Sequence, residues 1–273
     1  MAPAEGQQRK HNSHRRLITS LKLAGLAVLG ICTVSIPVTV ALILSTTGAS
    51  EALTIGTTPR RSHATPAEAV ERARCTPERG YYALTFDGGP NAVTTRRLVA
   101  TLKRSRAVAT FFDVGVNAAR RVDLVDRQRT VGHVANYGYS GTPLTELSQD
   151  LRIRELQATA RVLDYPNAWF RPPYGRTNDE VDEDVRRSGL IAVYWTVDAS
   201  GALPTKAIVA RALVVQPGGI IRLDERREET IEAIPEIVSG LRKQGMCPGF
   251  LGRAKAPVKA ANGTTFKVQA VKP

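Results

Sequence analysis

The chain has 273 residues, 42% hydrophobic and 23% charged, a globular balance that excludes disorder throughout. Its 38 Lys and Arg against 25 Asp and Glu give a net charge of +13, while aromatics at 5% exclude a stacking surface for single-stranded nucleic acid. Of the four His, only His133 lies beyond position 65, too few for a His-rich zinc site in the rest of the chain.

An uncharged apolar run comes first. Residues 23–44 (LAGLAVLGICTVSIPVTVALIL) are long enough for a helix across a hydrocarbon core of roughly 30 Å. Arg9, Lys10, Arg15, Arg16 and Lys22 precede it against Glu5 alone, and residues 45–58 carry only Glu51. This asymmetry predicts a basic cytoplasmic segment at 1–22, a single-pass anchor at 23–44 and an extracellular C-terminal domain. The alternative is secretion after signal cleavage near Ser50, beside the small residues Gly48 and Ala49. Residues 45–74, rich in Ala, Thr, Ser and Pro, read as a linker.

The next element is a strand at 81–86 (YYALTF), stopped by Asp87-Gly88-Gly89-Pro90. A helix at 94–105, a strand at 108–114, a helix at 118–130 and a short strand at 132–136 follow. A long helix is predicted at 145–163, then an extended stretch at 169–171. Thr177 and Glu180 have the spacing of a capping box for the next helix. Residues 191–197 (IAVYWTV) read as a buried strand, followed by helix 206–215, strand 219–223 and helix 228–242. Strict βα alternation predicts a parallel sheet covered by helices, doubly wound or closed into a barrel. Polar residues at the strand ends then converge on one site: Asp87, Asn136, Arg171, Asp198, Asp224 and Glu225. Residues 253–273 hold five cations and no acid, the composition of a flexible basic tail, although 265–271 (TFKVQAV) alternates like a strand.

Five segments in order carry a family likeness: TFDGGP (85–90), ATFFDVG (109–115), FRPPYG (170–175), YWTVD (194–198) and GGIIRLDE (218–225). Together they resemble the polysaccharide deacetylase family, the NodB-homology domain of carbohydrate esterases. The resemblance places this domain at residues 75–252 and implies a distorted (β/α) barrel of about seven strands. It also implies a metal-assisted removal of N- or O-acetyl groups from a sugar polymer, with zinc held by one Asp and two His.

The match is incomplete where the chemistry lies. Asp87 stands at the family's general base, but Gly88 replaces the Asp ligand. Tyr137 and Gly141 stand at the two His positions. Arg171 matches the residue that orients the base, and Tyr174 the oxyanion-hole main chain. Pro173 and Asp198 fall at substrate-binding positions. Asp224 stands where the acid His belongs, and Gly201-Ala202 where an Asp-Trp pair belongs. Without a Lewis acid and a proton donor the reaction lacks its two main aids.

The resulting expectation is a degenerate, non-catalytic member with no metal of its own, binding or scaffolding envelope polysaccharide. Basic charge adds anionic wall polymers as partners; nothing resembles a groove reader of nucleic acid. The alternative is an active hydrolase with an atypical metal site, for instance a hard cation among Asp87, Asp198, Asp224 and Glu225. His133, Trp169 and Trp195 read as structural. If the first and last strands of an exported barrel are neighbours, Cys75 and Cys247 pair as a disulfide; otherwise they are separate buried thiols.

Overall fold

The structure, a computed structural model, describes residues 75–164 and 168–273. The predicted cytoplasmic segment, membrane anchor and linker lie outside the described residues. Among the described residues, no helix is long and apolar enough to cross a membrane.

Seven parallel strands form a curled half-barrel. They are β1 (Gly80–Gly89), β2 (Ala109–Asp113), β3 (Gly132–Asn136), β4 (Trp169–Phe170), β5 (Ile191–Ala192), β6 (Val197–Asp198) and β7 (Ile220–Asp224), in the order β5-β4-β3-β2-β1-β7-β6. The short β8 (Met246–Pro248) pairs with the start of β1, Cys247 opposite Tyr81. That pairing brings the Cys75–Cys247 disulfide together, with Cα atoms 5.8 Å apart.

Helices α1 (Thr95–Arg104), α2 (Gly115–Arg120), α3 (Val122–Arg129), α4 (Gln149–Leu163), α5 (Asp179–Arg187), α6 (Thr205–Ala212) and α7 (Glu228–Lys243) connect the strands. In α7, Ile231, Ile234, Val238 and Leu241 recur at helical spacing and are all buried. They pack with Leu98, Leu102, Ile208 and the outward residues Tyr82, Leu84 and Phe86 of β1 in one core. Residues of opposite parity on the strands face the barrel interior.

Four local expectations need correction. The predicted helix at 118–130 is two, α2 and α3, broken at Arg121 (φ −140°, ψ 55°). The helix predicted from 145 starts at Gln149, after a 3₁₀ turn over Leu144–Glu146. The cap of α5 is Asn178, not Thr177: extended backbone at 178 turns its side chain onto the Val181 N–H at 2.9 Å. The single strand predicted at 191–197 is split into β5 and β6, which form the two opposite edges of the sheet. Residues 193–196 cross between those edges. Val193 N–H donates to Phe170 O on β4 at 2.8 Å, and Thr196 N–H to Ile220 O on β7 at 2.9 Å.

The C-terminal residues expected as a flexible basic tail form an antiparallel hairpin, β9 (Phe250–Lys259) and β10 (Thr265–Val271). Its alternation is what carries it: Phe266, Val268 and Ala270 are buried beside Ala83, Ile220 and Tyr194. Lys255, Lys259, Lys267 and Lys272 remain exposed.

Candidate active site

Strand alternation decides what reaches the barrel mouth. On β1, Ala83, Thr85 and Asp87 face inward; on β7, Ile220, Arg222 and Asp224 do, with Thr85 opposite Arg222 and Asp87 opposite Asp224. Arg171 follows β4 and is fully buried. Its Nη1 donates to Asp87 Oδ1 at 2.7 Å and to Thr85 Oγ1 at 2.8 Å. Its Nε donates to Val193 O at 3.1 Å and its Nη2 to Tyr194 O at 3.3 Å. The guanidinium lies 4.0 Å from the Phe112 ring centroid. Burial pulls Arg171 below its usual range, and Asp87 opposes that shift.

Asp87 has a second cation. Arg222 donates from Nε to Asp87 Oδ2 at 2.8 Å and from Nη1 to Asp198 Oδ2 at 3.2 Å, its guanidinium 4.2 Å from the Trp195 ring. Burial works against its charge, but Asp87, Tyr137 and Asp198 together hold Arg222 above its ordinary range. Asp198 also accepts from Ser200 N–H at 3.0 Å and Ser200 Oγ at 2.6 Å. Sequence reasoning did not single out Arg222. Its only signal was a lone cation inside the apolar run GGIIRLDE.

A cavity of about 210 Å³ opens above this network, bordered by Asp87, Gly88, Tyr137, Gly141, Arg222 and Arg226 among others. The three positions assigned to metal ligands are thus brought together, and none carries a ligand that suits zinc. Gly88 and Gly141 have no side chain and hold φ of +88° and +78°. The Tyr137 phenol is pushed up to about 12 by burial and by Asp87, so it stays protonated. Arg226 fills the space beside Gly88: a Cβ added there would lie 3.1 Å from its Nε. Arg226 is clamped by Asp224, with Nε to Oδ1 at 2.9 Å and Nη2 to Oδ2 at 2.8 Å, and that pairing raises its pKa. A zinc ion needs three or four His, Cys or carboxylate donors. Glycine, a neutral phenol and a guanidinium do not fit it.

The expected oxyanion-hole donor has a partner already. Tyr174 is exposed with φ +58°, and its main-chain N–H donates to the Tyr137 hydroxyl at 3.0 Å. Pro173 is buried and opens the 3₁₀ turn Pro173–Gly175, whereas Asp198 sits beside the cavity as the partner of Arg222 and Ser200.

The hard-cation cluster weighed for Asp87, Asp198, Asp224 and Glu225 does not assemble. Among the described residues, no group of three or more His, Cys, Asp or Glu is arranged to hold a metal ion. Glu225 points away from the cavity and is fully buried, accepting from Thr95 Oγ1 at 2.5 Å and Gln128 Nε2 at 3.1 Å. The same amide nitrogen donates to the buried Asp113 at 3.0 Å. Burial pushes Asp113 up to about 7 and raises Glu225 well above its usual range. His133 stacks on Phe250 with centroids 4.1 Å apart, and burial lowers its pKa.

The family model for polysaccharide deacetylases matches residues 74–193. The chain belongs to this family. A chitooligosaccharide deacetylase from Sinorhizobium fredii is 33% identical over 184 residues, covering 59% of this chain and 86% of that protein. A family 4 carbohydrate esterase from Streptomyces lividans, solved in complex with acetate, is 30% identical, with a TM-score of 0.62 over 71% of this chain and 98% of the other. A mutant of a family 4 pseudoenzyme with restored enzymatic activity is 25% identical, with a TM-score of 0.57 over 63% of this chain and 66% of the other. The chain spans only 29% and 36% of the length of the first two curated relatives it matches.

Proposed function

We propose that this protein is a non-catalytic polysaccharide-deacetylase-like receptor that binds or scaffolds envelope glycan. One observation carries the reading: an arginine stands where the reaction needs a divalent cation, and a phenol already engages the oxyanion-hole donor. Arg226 lies against Gly88, and Tyr137 engages the Tyr174 N–H. The relative described as a pseudoenzyme makes such a loss of chemistry credible within the family. Asp87, Arg171 and Tyr174 are in this reading the retained frame of a lost active site. In this reading Asp198 contributes to glycan binding through Arg222 and Ser200, and Pro173 opens the turn that carries Tyr174. The apolar run at 23–44 would hold the domain outside the cell, facing wall or surface polysaccharide.

The second reading is an active hydrolase releasing acetyl from an N- or O-acetylated polysaccharide. It draws on the intact Asp87–Arg171 pair and on the relatives named as deacetylases. One experiment separates the two. The detergent-purified full chain is assayed for bound metal and for acetyl release from peptidoglycan, chitooligosaccharide and acetylated xylan, alongside glycan binding. The receptor reading expects binding without release. Release that disappears with Asp87→Asn would establish the hydrolase instead. In cells, the intact chain should stay in the membrane fraction with its domain sensitive to external protease; a soluble form starting near Ser50 would show cleavage.

A further inference from the structure

Resting on the receptor reading, we infer that the cavity selects a carboxylate-bearing sugar unit of an acidic glycan, and that Arg226 and Arg222 are the selecting residues. The argument is one of hydrogen-bond polarity. Two carboxylates, Asp87 and Asp224, line the cavity and a third, Asp198, backs it through Arg222; each is engaged by arginine. Asp87 holds Arg171 and Arg222, Asp198 holds Arg222, and Asp224 holds Arg226 on both oxygens. A ligand therefore finds few free acceptors.

The free groups are donors. Arg222 uses Nε and Nη1, so its Nη2 is left over; Arg226 uses its main-chain N, Nε and Nη2, so its Nη1 is left over. The Tyr137 oxygen accepts the Tyr174 N–H, which leaves its own proton to donate into the cavity. Ser140, Ser200 and Asn117 border the same space with further polar groups. A donor-lined pocket is complementary to an acceptor-rich ligand, and two guanidinium edges favour an anionic one, since a charge-assisted bond is about twice as strong as a neutral one. The missing side chain at Gly88 belongs to the same design, because it makes the room in which the Arg226 guanidinium lies. The cavity of about 210 Å³ suits a single sugar unit, and the net charge of +9 over residues 45–273 (33 Lys and Arg against 24 Asp and Glu) draws polyanions toward it.

The test uses the full-length chain in detergent, with Trp195 fluorescence and calorimetry as readouts, Trp195 being stacked against Arg222. The probes are an oligogalacturonate, the same oligomer with its carboxyls reduced to alcohols, and a neutral chitooligosaccharide of equal length. The uronate form should bind at least tenfold more tightly than its reduced counterpart. Arg226→Gln should abolish that difference at unchanged melting temperature, since this side chain is half exposed. Lys255→Gln/Lys267→Gln on the hairpin should leave the preference intact. Equal affinity for reduced and acidic oligomers, or an acid preference lost equally in the hairpin variant, would overturn the inference while leaving the glycan-receptor reading standing. Failure of all three oligomers to bind would overturn the inference, and failure to bind peptidoglycan and xylan as well would overturn both.

Discussion

The Tyr137 hydroxyl accepts the Tyr174 main-chain N–H at 3.0 Å. The contact joins two positions that matter separately. Tyr137 stands where a histidine would hold metal, and the Tyr174 N–H is the donor a tetrahedral oxyanion would need. One phenol therefore removes a ligand and engages an oxyanion donor.

Asp87→Asn tests what the retained base now does. Arg171 is fully buried and has Asp87 as its carboxylate partner. Breaking a buried pair from one side costs about 3–5 kcal/mol. We expect a loss of that order in urea unfolding, with acetyl release at background before and after the change. Wild-type release that falls with this variant would refute the expectation.

Restoring ligands should fail while Arg226 remains. In Gly88→Asp/Tyr137→His/Gly141→His, two new side chains must adopt left-handed backbone at roughly 1–2 kcal/mol each, and the carboxylate introduced at position 88 would meet a guanidinium first. Zinc titration against a competing chelator should show weak uptake. Adding Arg226→Ser should strengthen it at least tenfold. Tight zinc in the triple variant would show that Arg226 gives way easily.

The buried Asp113 and Glu225 make stability depend on pH. Both carboxyls are raised by burial in the folded chain, Asp113 up to about 7, whereas unfolded carboxyls titrate near 4. Between those values the folded state binds more protons than the unfolded state. Stability contributed by these groups is therefore present at low pH and is lost as pH rises from about 4 through 7. Urea midpoints measured between pH 5 and 8 should fall with pH, and Asp113→Asn should flatten the slope. An upward trend in the wild type across this range would contradict the assignment.

The disulfide ties the segment that leads into β1 to β8 across 172 residues of sequence separation. Removal of a native bridge typically costs about 2–5 kcal/mol. Cys75→Ser/Cys247→Ser should lower the unfolding midpoint by that order. Wild-type protein prepared without reductant should resist alkylation at Cys75 and Cys247 until reduced, and ready labelling of both thiols would argue against the bond.

Much of this was legible in the chain. The βα alternation set the parallel sheet, and the strand-end residues Asp87 and Arg171 do meet. Arg222 escaped because its partner depends on the register between two parallel strands 135 residues apart, which no local pattern encodes. Glu225 reads as a mouth acid from its adjacency to Asp224, which hides that β7 ends at Asp224 and that the next residue turns inward to Thr95 and Gln128. The hairpin was masked by its lysines, which dominate composition while Phe266, Val268 and Ala270 do the packing. Residues 191–197 read as one strand because apolar content cannot reveal that the two ends join opposite edges of a sheet.

Arg171 has a second duty that follows from that last feature. Residues 193–196 close the barrel where β5 and β6 fail to pair, and Arg171 donates to the carbonyls of Val193 and Tyr194 in that closing stretch. The same guanidinium thus pins Asp87 on one side and the barrel's seam on the other. Loss of Arg171 would therefore destabilise the fold whether or not the site is catalytic, and Arg171 in turn relies on the charge of Asp87. An intact pair in a member of the family therefore reports the tie between β1 and the 193–196 stretch as well as a base held in place.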